Sequence, residues 1–411
     1  MSPLTGVISR LERIDANLPM NTNYYARHNF SAPAKTVDEL RAGLSGGSFG
    51  KGSTAEQGEA SALMEAIERY SGIFQGDEIR VKRRFTDFLL GDAVLPNDIL
   101  LFSNAQLSDP ASATDPYEVP STLTLFDRSA NIEWSPVWSL RDERFKYVPT
   151  SLLYFFYRGS GQIDADSNGC AAGNTIEEAI VQAFLELVER DAYAIWWYNR
   201  SQRSAVDLGQ MDDPYVSGLK ARLAETGRRL WVLDVTTDLG IPSFVTILHW
   251  IQDGKENIEF GSGAHFDSRI ALLRALTELN QFLSIGLMRG GTGEKSSLDG
   301  STPLRLQDHP FLMPSEGPVV QPALGAKFGS LDAREQVAAC VRLVEREGLD
   351  FLVLDQTRPD VDVPVVRVIV PGLRHFYRRF APGRLYNVPV KLGLRDRPLS
   401  EDLLNPAHPH T

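Results

Sequence analysis

At 411 residues, with 43% apolar and 23% charged side chains, the chain is long enough for a large core and has the composition of an ordinary globular protein. A net charge of −11 argues against a nucleic-acid partner, because phosphate backbones are bound by Lys and Arg. Two cysteines without a C-x-x-C pair exclude a disulfide framework or a structural zinc site; the absence of a signal-like start or an apolar run of membrane length leaves no membrane partner and a cytoplasmic setting as the expectation.

Along the chain, the first informative segment is Gly46-Gly47-Ser48-Phe49-Gly50-Lys51-Gly52. It fails as a phosphate-binding P-loop, because Ser45 takes the first glycine position and Gly52 stands where Ser or Thr must follow the lysine. Lys51 is therefore a turn lysine by default. Gly52 to Gln57 leads into Ser61 to Arg69, a predicted helix with Leu63, Met64 and Ile67 on one face and a capping-box spacing at Thr54 and Gln57. Phe102 to Pro120, rich in Ser, Asp, Pro and Ala, reads as a long loop.

At Gly173 the first pattern returns. Gly173 to Glu178 leads into Gln182 to Arg190, aligning without a gap; Thr175 and Glu178 repeat the capping spacing, while Phe184, Leu185 and Val188 repeat the apolar face. A predicted helix at Leu219 to Leu223 and strands at Leu230 to Asp234 and Ile241 to Ile247 follow. A weaker third copy puts the Gly-rich loop Gly261 to His265 before a helix through Arg274 to Gln281. After a second long loop, Arg289 to Pro322, the helix–strand–strand order recurs at Val337 to Glu345, Phe351 to Asp355 and Val363 to Val368. These pieces predict an α/β protein, with mixed α+β sheets and packed helices, in one composite domain with internal repeats. Its expected bounds are 46–395, between an N-terminal segment, 1–45, and a proline-bearing tail, 396–411.

The repeated helices carry an unusual stripe. Ser61, Glu65 and Glu68 lie at i, i+4 and i+7, within roughly 60° of one another on a helix. Gln182, Glu186 and Glu189 repeat the arrangement, and Arg274, Glu278 and Gln281 echo it. Any single Glu-x-x-Glu-Arg is ordinarily a solvated helix face, but such faces mix signs, and these stripes contain no lysine. Like charges one turn apart cost roughly 0.2–0.5 kcal/mol per pair on an isolated helix, so their repetition asks for a compensating partner. Mg²⁺, which prefers carboxylate and phosphate oxygens, supplies one. Two such helices face to face would offer Glu65, Glu68, Glu186 and Glu189 to metal ions. Arg190 and Arg274 would suit phosphate oxygens, and Ser61, Asn174 and Gln182 would donate hydrogen bonds. Glu178 lies one turn before Gln182 on the same face.

At these residues the sequence resembles the YcaO family. The matching stretches are Gly50 to Thr54, Ser61 to Arg69, Ser167-Asn168-Gly169, Ala172 to Thr175, Gln182 to Asp191, Gly263 to His265 and Arg274 to Gln281. The resemblance implies an ATP site between the acidic helices. Ser61, Asn174, Gln182, Arg190 and Arg274 would bind the nucleotide, and Glu65, Glu68, Glu178, Glu186 and Glu189 would hold Mg²⁺. Glu278 is a further carry-over; with Arg274 it is a candidate for a catalytic role. No base is assigned: His265, His375, His408 and His410 qualify by type alone.

The stretch Arg374 to Tyr386 resembles the azoline-forming branch of that family, the cyclodehydratases of thiazole- and oxazole-containing antibiotic peptides, although Pro406 to Thr411 departs from that branch's Pro-x-Pro-x-Pro tail. The resemblance implies a ribosomal precursor peptide as substrate. It also implies a separate leader-binding protein related to ubiquitin-activating enzymes, a flavin-dependent azoline dehydrogenase as a further partner, and a homodimeric or hetero-oligomeric assembly. Thioamide or macroamidine formation, and a non-catalytic ATP-binding assembly subunit, remain open as alternatives.

Overall fold

The computed structural model describes residues 6–14, 22–28, 46–109, 126–159, 165–288, 304–321 and 331–409. Strands β1 (Ile8–Arg13), β2 (Tyr24–His28) and β3 (Gly46–Gly50) form an antiparallel sheet in that order. The expected N-terminal segment thus contributes two strands to a sheet that β3 completes. Helix α1 (Ala55–Ser71) lies on this sheet, burying Ala62 and Ala66 against Ile8 and Ala26, with Leu63 and Ile67 beside them. The approach is close because the strand ends in glycine: a Cβ on Gly50 would stand 2.0 Å from the Gly58 carbonyl oxygen.

Next come β4 (Val81–Arg83), α2 (Pro96–Leu100), α3 (Asn104–Ser108), β5 (Ile132–Ser139), β6 (Arg144–Pro149) and β7 (Cys170–Ala172). Helix α3, capped by Ser103, occupies the start of the segment expected to be a loop; residues 110–125 lie outside the description. Helix α4 (Ile176–Asn199) is the longest among the described residues, at 24 residues. Its first half packs on the six-stranded sheet through Phe184, Leu187 and Val188; its second half buries Tyr193, Trp196 and Trp197 on all sides. Each such fully buried side chain contributes about 1.5–3 kcal/mol, so α4 is the spine of the molecule.

The remaining elements are α5 (Pro214–Glu225), β8 (Arg229–Asp234), β9 (Ser243–Gln252), β10 (Lys255–Ala264), α6 (Ser268–Met288), α7 (Ala333–Arg346), β11 (Leu352–Asp355), β12 (Val365–Ile369) and α8 (Arg384–Lys391). Strands β10-β9-β8 make a three-stranded sheet under α5 and α6. The larger sheet runs β4-β5-β11-β12-β7, with β6 paired to β5. Every pairing among the named strands is antiparallel. The expected α+β architecture with mixed layers is what forms.

Two local expectations need correcting. Gly261 to Ala264 is not a loop but the end of β10, paired to β9 from Ala264↔Ser243 onward. Its glycines serve close packing instead, since a Cβ on Gly261 would stand 2.4 Å from the Ala275 carbonyl oxygen of α6. The capping boxes also close only halfway. Thr54 and Thr175 accept the backbone N–H of Gln57 and Glu178, but the return bonds go one residue earlier, from Ser53 N to Gln57 and from Asn174 N to Glu178. Of the second long loop, 304–321 is described and includes the short turn Pro310–Leu312.

Candidate nucleotide and metal site

Three strand-to-helix units, β3–α1, β7–α4 and β10–α6, bring the three polar stripes together. Phe49 of β3 is gripped from both sides: its N–H donates to Glu65 Oε2 at 3.1 Å, and its carbonyl accepts Gln281 Nε2 at 2.8 Å. Helices α1 and α6 are thereby tied to one strand. Lys51, at the end of that strand, places Nζ 2.5 Å from Glu278 Oε1. The default turn lysine is thus an ion-pair partner inside the site.

Between α1 and α4 both like and opposite charges come within electrostatic reach. Burial raises the Glu68 carboxyl well above its ordinary value; the charges of Glu186 and Glu65 raise it further, while Arg69 opposes them. Burial and Glu189 likewise raise Glu186, against Arg190, Arg69 and the Gly169 N–H. Arg69 reaches both Glu65 and Glu68, at 3.4 and 3.5 Å. The two acidic helices therefore converge, and one guanidinium is shared among several carboxylates.

Between α4 and α6, Arg274 donates to Gln182 Oε1 and to the Ala264 carbonyl, and burial lowers its pKa despite Glu189. Ser262 Oγ lies 2.6 Å from Glu189 Oε1 and 2.9 Å from Glu278 Oε2, while its N–H donates to Glu278 Oε2 at 2.6 Å. A hydroxyl has one proton and can serve only one of those carboxylates at a time; Glu278 has Lys51 as its ion-pair partner besides. Burial works to raise Glu278, but Lys51 and Arg190 bring it below its ordinary value. Burial likewise works to lower Arg190, which Glu186, Glu189 and Glu278 together raise.

Among the described residues no three His, Cys, Asp or Glu side chains converge as a ready metal cage. Mg²⁺ does not need one, since it is ordinarily bound through one or two carboxylates together with substrate phosphates and water. The crowded Glu68–Glu186 and Glu189–Glu278 surroundings fit that mode, with Arg190 and Arg274 beside them for phosphate.

Not every expected residue joins the cluster. Glu178 spends its carboxylate on Asn174, accepting the backbone N–H at 3.1 Å and Nδ2 at 2.9 Å at the exposed start of α4, about two turns from Glu186. Asn174 and Glu178 thus pair with each other at the start of α4, whereas Glu68, Glu186 and Glu189 lie further along the acidic stripes, with Glu65 beside Glu68. Ser61 sits half-buried one turn before Glu65. His265 accepts the Asp267 N–H at 3.0 Å, and burial with the nearby Arg274 lowers it to about 4. His410 lies outside the described residues.

Sequence reasoning missed Ser262 and Arg367. Arg367 had a signal: it is a charge inside the apolar run Val365-Val366-Arg367-Val368. Its guanidinium bonds Asp166 at 2.7 and 3.2 Å, within electrostatic reach of Glu68. Asp166, Asn168, Arg367 and His375 also line a cavity of about 40 Å³, room for water but not for a nucleotide.

Carboxylates crowded between helices, with arginines alongside, define a site for a polyphosphate carried with a divalent cation. The chain belongs to the YcaO family: the profile described as YcaO cyclodehydratase, ATP- and Mg²⁺-binding, matches residues 49–374. A heterocyclase solved in complex with substrate and cofactor is 44% identical, with a TM-score of 0.91 over 99% of this chain and 56% of that one. The heterocyclase TruD is 45% identical, with a TM-score of 0.74 over 85% of this chain and 50% of its own. The YcaO protein of Methanopyrus kandleri, solved with AMPPCP and Mg²⁺, shares the fold at 21% identity, with a TM-score of 0.63 over 89% of this chain and 86% of that one. This chain spans about half the length of the two heterocyclases. Among the described residues no helix is long and apolar enough to cross a membrane.

Proposed function

We propose that the chain is an ATP- and Mg²⁺-dependent cyclodehydratase that converts Cys, Ser or Thr of a ribosomal precursor peptide to thiazolines or oxazolines. The observation that carries this reading is the 44% identity to a substrate-bound heterocyclase across 99% of the chain, which spans the whole buried acidic site.

In the reaction, the side-chain sulfur or oxygen adds to the preceding amide carbon, losing its proton, and the carbonyl electron pair moves onto oxygen. That oxygen takes the γ-phosphoryl group of ATP and releases ADP. Loss of the amide N–H proton and cleavage of the C–O bond then expel phosphate and leave the C=N bond of the ring. The peptide loses one water, and ATP becomes ADP and phosphate. Mg²⁺ supplies Lewis-acid neutralisation of the phosphate charge when bound. Glu65, Glu68, Glu186 and Glu189 would hold the cation, and Arg190 and Arg274 would receive phosphate oxygens, so that little reorganisation would be needed as charge moves. Ser262 and Lys51 orient Glu189 and Glu278.

The catalytic unit in this reading is 46–395, with β1 and β2 added at its edge. A separate leader-binding protein and an azoline dehydrogenase are the proposed partners. The test is incubation with ATP, Mg²⁺, a candidate precursor and that binding protein, followed by peptide mass. Loss of one water per modified residue supports cyclodehydration. A sulfur-for-oxygen gain would replace it with thioamidation, and no turnover with full nucleotide binding would leave an assembly subunit.

A further inference from the structure

Arg190, one turn beyond Glu186 on α4, rests on something other than an acid. Its Cζ lies 4.6 Å from the ring centroid of Phe376. Phe376 belongs to no helix or strand; it sits between β12 and α8. Such a segment positions a side chain poorly unless something fixes it, and here one residue fixes both ends. Asp191, next to Arg190 and fully buried, accepts the Arg374 N–H at 3.0 Å and binds the Arg384 guanidinium through both oxygens at 2.6–3.1 Å. Arg374 Nη2 donates to the Ala381 and Pro382 carbonyls, both at 2.8 Å, closing the segment on itself. Tyr198 OH, from the same helix as Arg190, donates to the Phe376 carbonyl at 2.5 Å.

An aromatic platform does what a carboxylate partner would not. A carboxylate takes guanidinium N–H groups in a bidentate pair and occupies them. A ring face attracts the cation while leaving its in-plane donors available to phosphate. We infer that Phe376 is a positioning residue for Arg190, setting the plane in which its donors meet nucleotide phosphate, and that Asp191 clamps the segment that presents the ring. This rests on the nucleotide-site reading above.

The test measures equilibrium binding of Mg²⁺·AMPPCP, with thermal melting to confirm folding. A pentafluorinated phenylalanine at position 376 keeps the shape and reverses the charge of the ring face; it is expected to weaken binding about 10-fold, as is Phe376→Leu, while Phe376→Tyr stays within about 2-fold. In an Arg190→Lys background, where no planar guanidinium remains to be oriented, the fluorinated ring is expected to cost less than about 2-fold. Unchanged affinity with the fluorinated ring, or an equal loss in both backgrounds, overturns the inference and makes Phe376 packing only. Absence of binding by the wild-type chain would instead overturn the nucleotide site itself.

Discussion

Glu68 on α1 and Glu186 on α4 lie within electrostatic reach of one another: burial raises the pKa of Glu68 well above its ordinary value, and Glu186 adds to it against Arg69. A fold does not gain stability from such a pair, so the pair identifies where a cation is wanted. The consequences can be measured on the isolated chain.

Glu68→Gln should raise the melting temperature of the nucleotide-free protein at pH 7–8. The folded pKa of Glu68 is raised, so its favourable contribution exists below the unfolded value of 4.5 and is lost as pH rises through the folded one. The gain from glutamine should therefore shrink as pH falls towards 4.5. A variant less stable than wild type at pH 8 by differential scanning calorimetry would mean that Glu68 is not under repulsion.

Glu186→Ala should lower precursor-dependent phosphate release by at least about 100-fold, the scale of removing one electrostatic contact to a transition state. The protein should remain folded, because the residue is a strained charge rather than a packing element. Activity within about threefold of wild type would remove Glu186 from the site.

Much of this was legible in advance. The gapless repeat fixed α1 and α4 and the polar faces they present, because helical periodicity is a local property. Strands β8, β11 and β12 likewise followed from short β-branched runs. What failed was tertiary. Whether Gly261 lies in a loop or a strand depends on its pairing with β9, although Asp253-Gly254, both with positive φ, is a readable hairpin turn. Phe376 under Arg190 joins positions far apart in sequence, and no local pattern marks such a contact.

Ser262→Ala should reach two helices at once. Glu189 and Glu278 would lose the hydroxyl they share, while Glu278 keeps the backbone N–H. A hydrogen bond to a charged group is worth about 1.5–3 kcal/mol, so chemical denaturation should show a loss of that order. A loss under about 0.5 kcal/mol would show that solvent already serves both carboxylates.

Asp191→Ala leaves the Arg384 guanidinium buried without its main partner, although Asp238 still reaches it at 2.7 Å. Breaking a buried pair on one side costs about 3–5 kcal/mol, and Asp238 should hold the loss near the lower figure. Denaturant unfolding would show it; an unchanged midpoint would mean the clamp is not formed.

The convergence of the acidic helices is tested most directly by calorimetric titration of the purified chain with AMPPCP, with and without Mg²⁺, in wild type and in Glu68→Ala with Glu186→Ala. Saturable binding that requires Mg²⁺ and disappears in the double variant is the expected result. Binding of equal strength without Mg²⁺, or retained by the double variant, would contradict it.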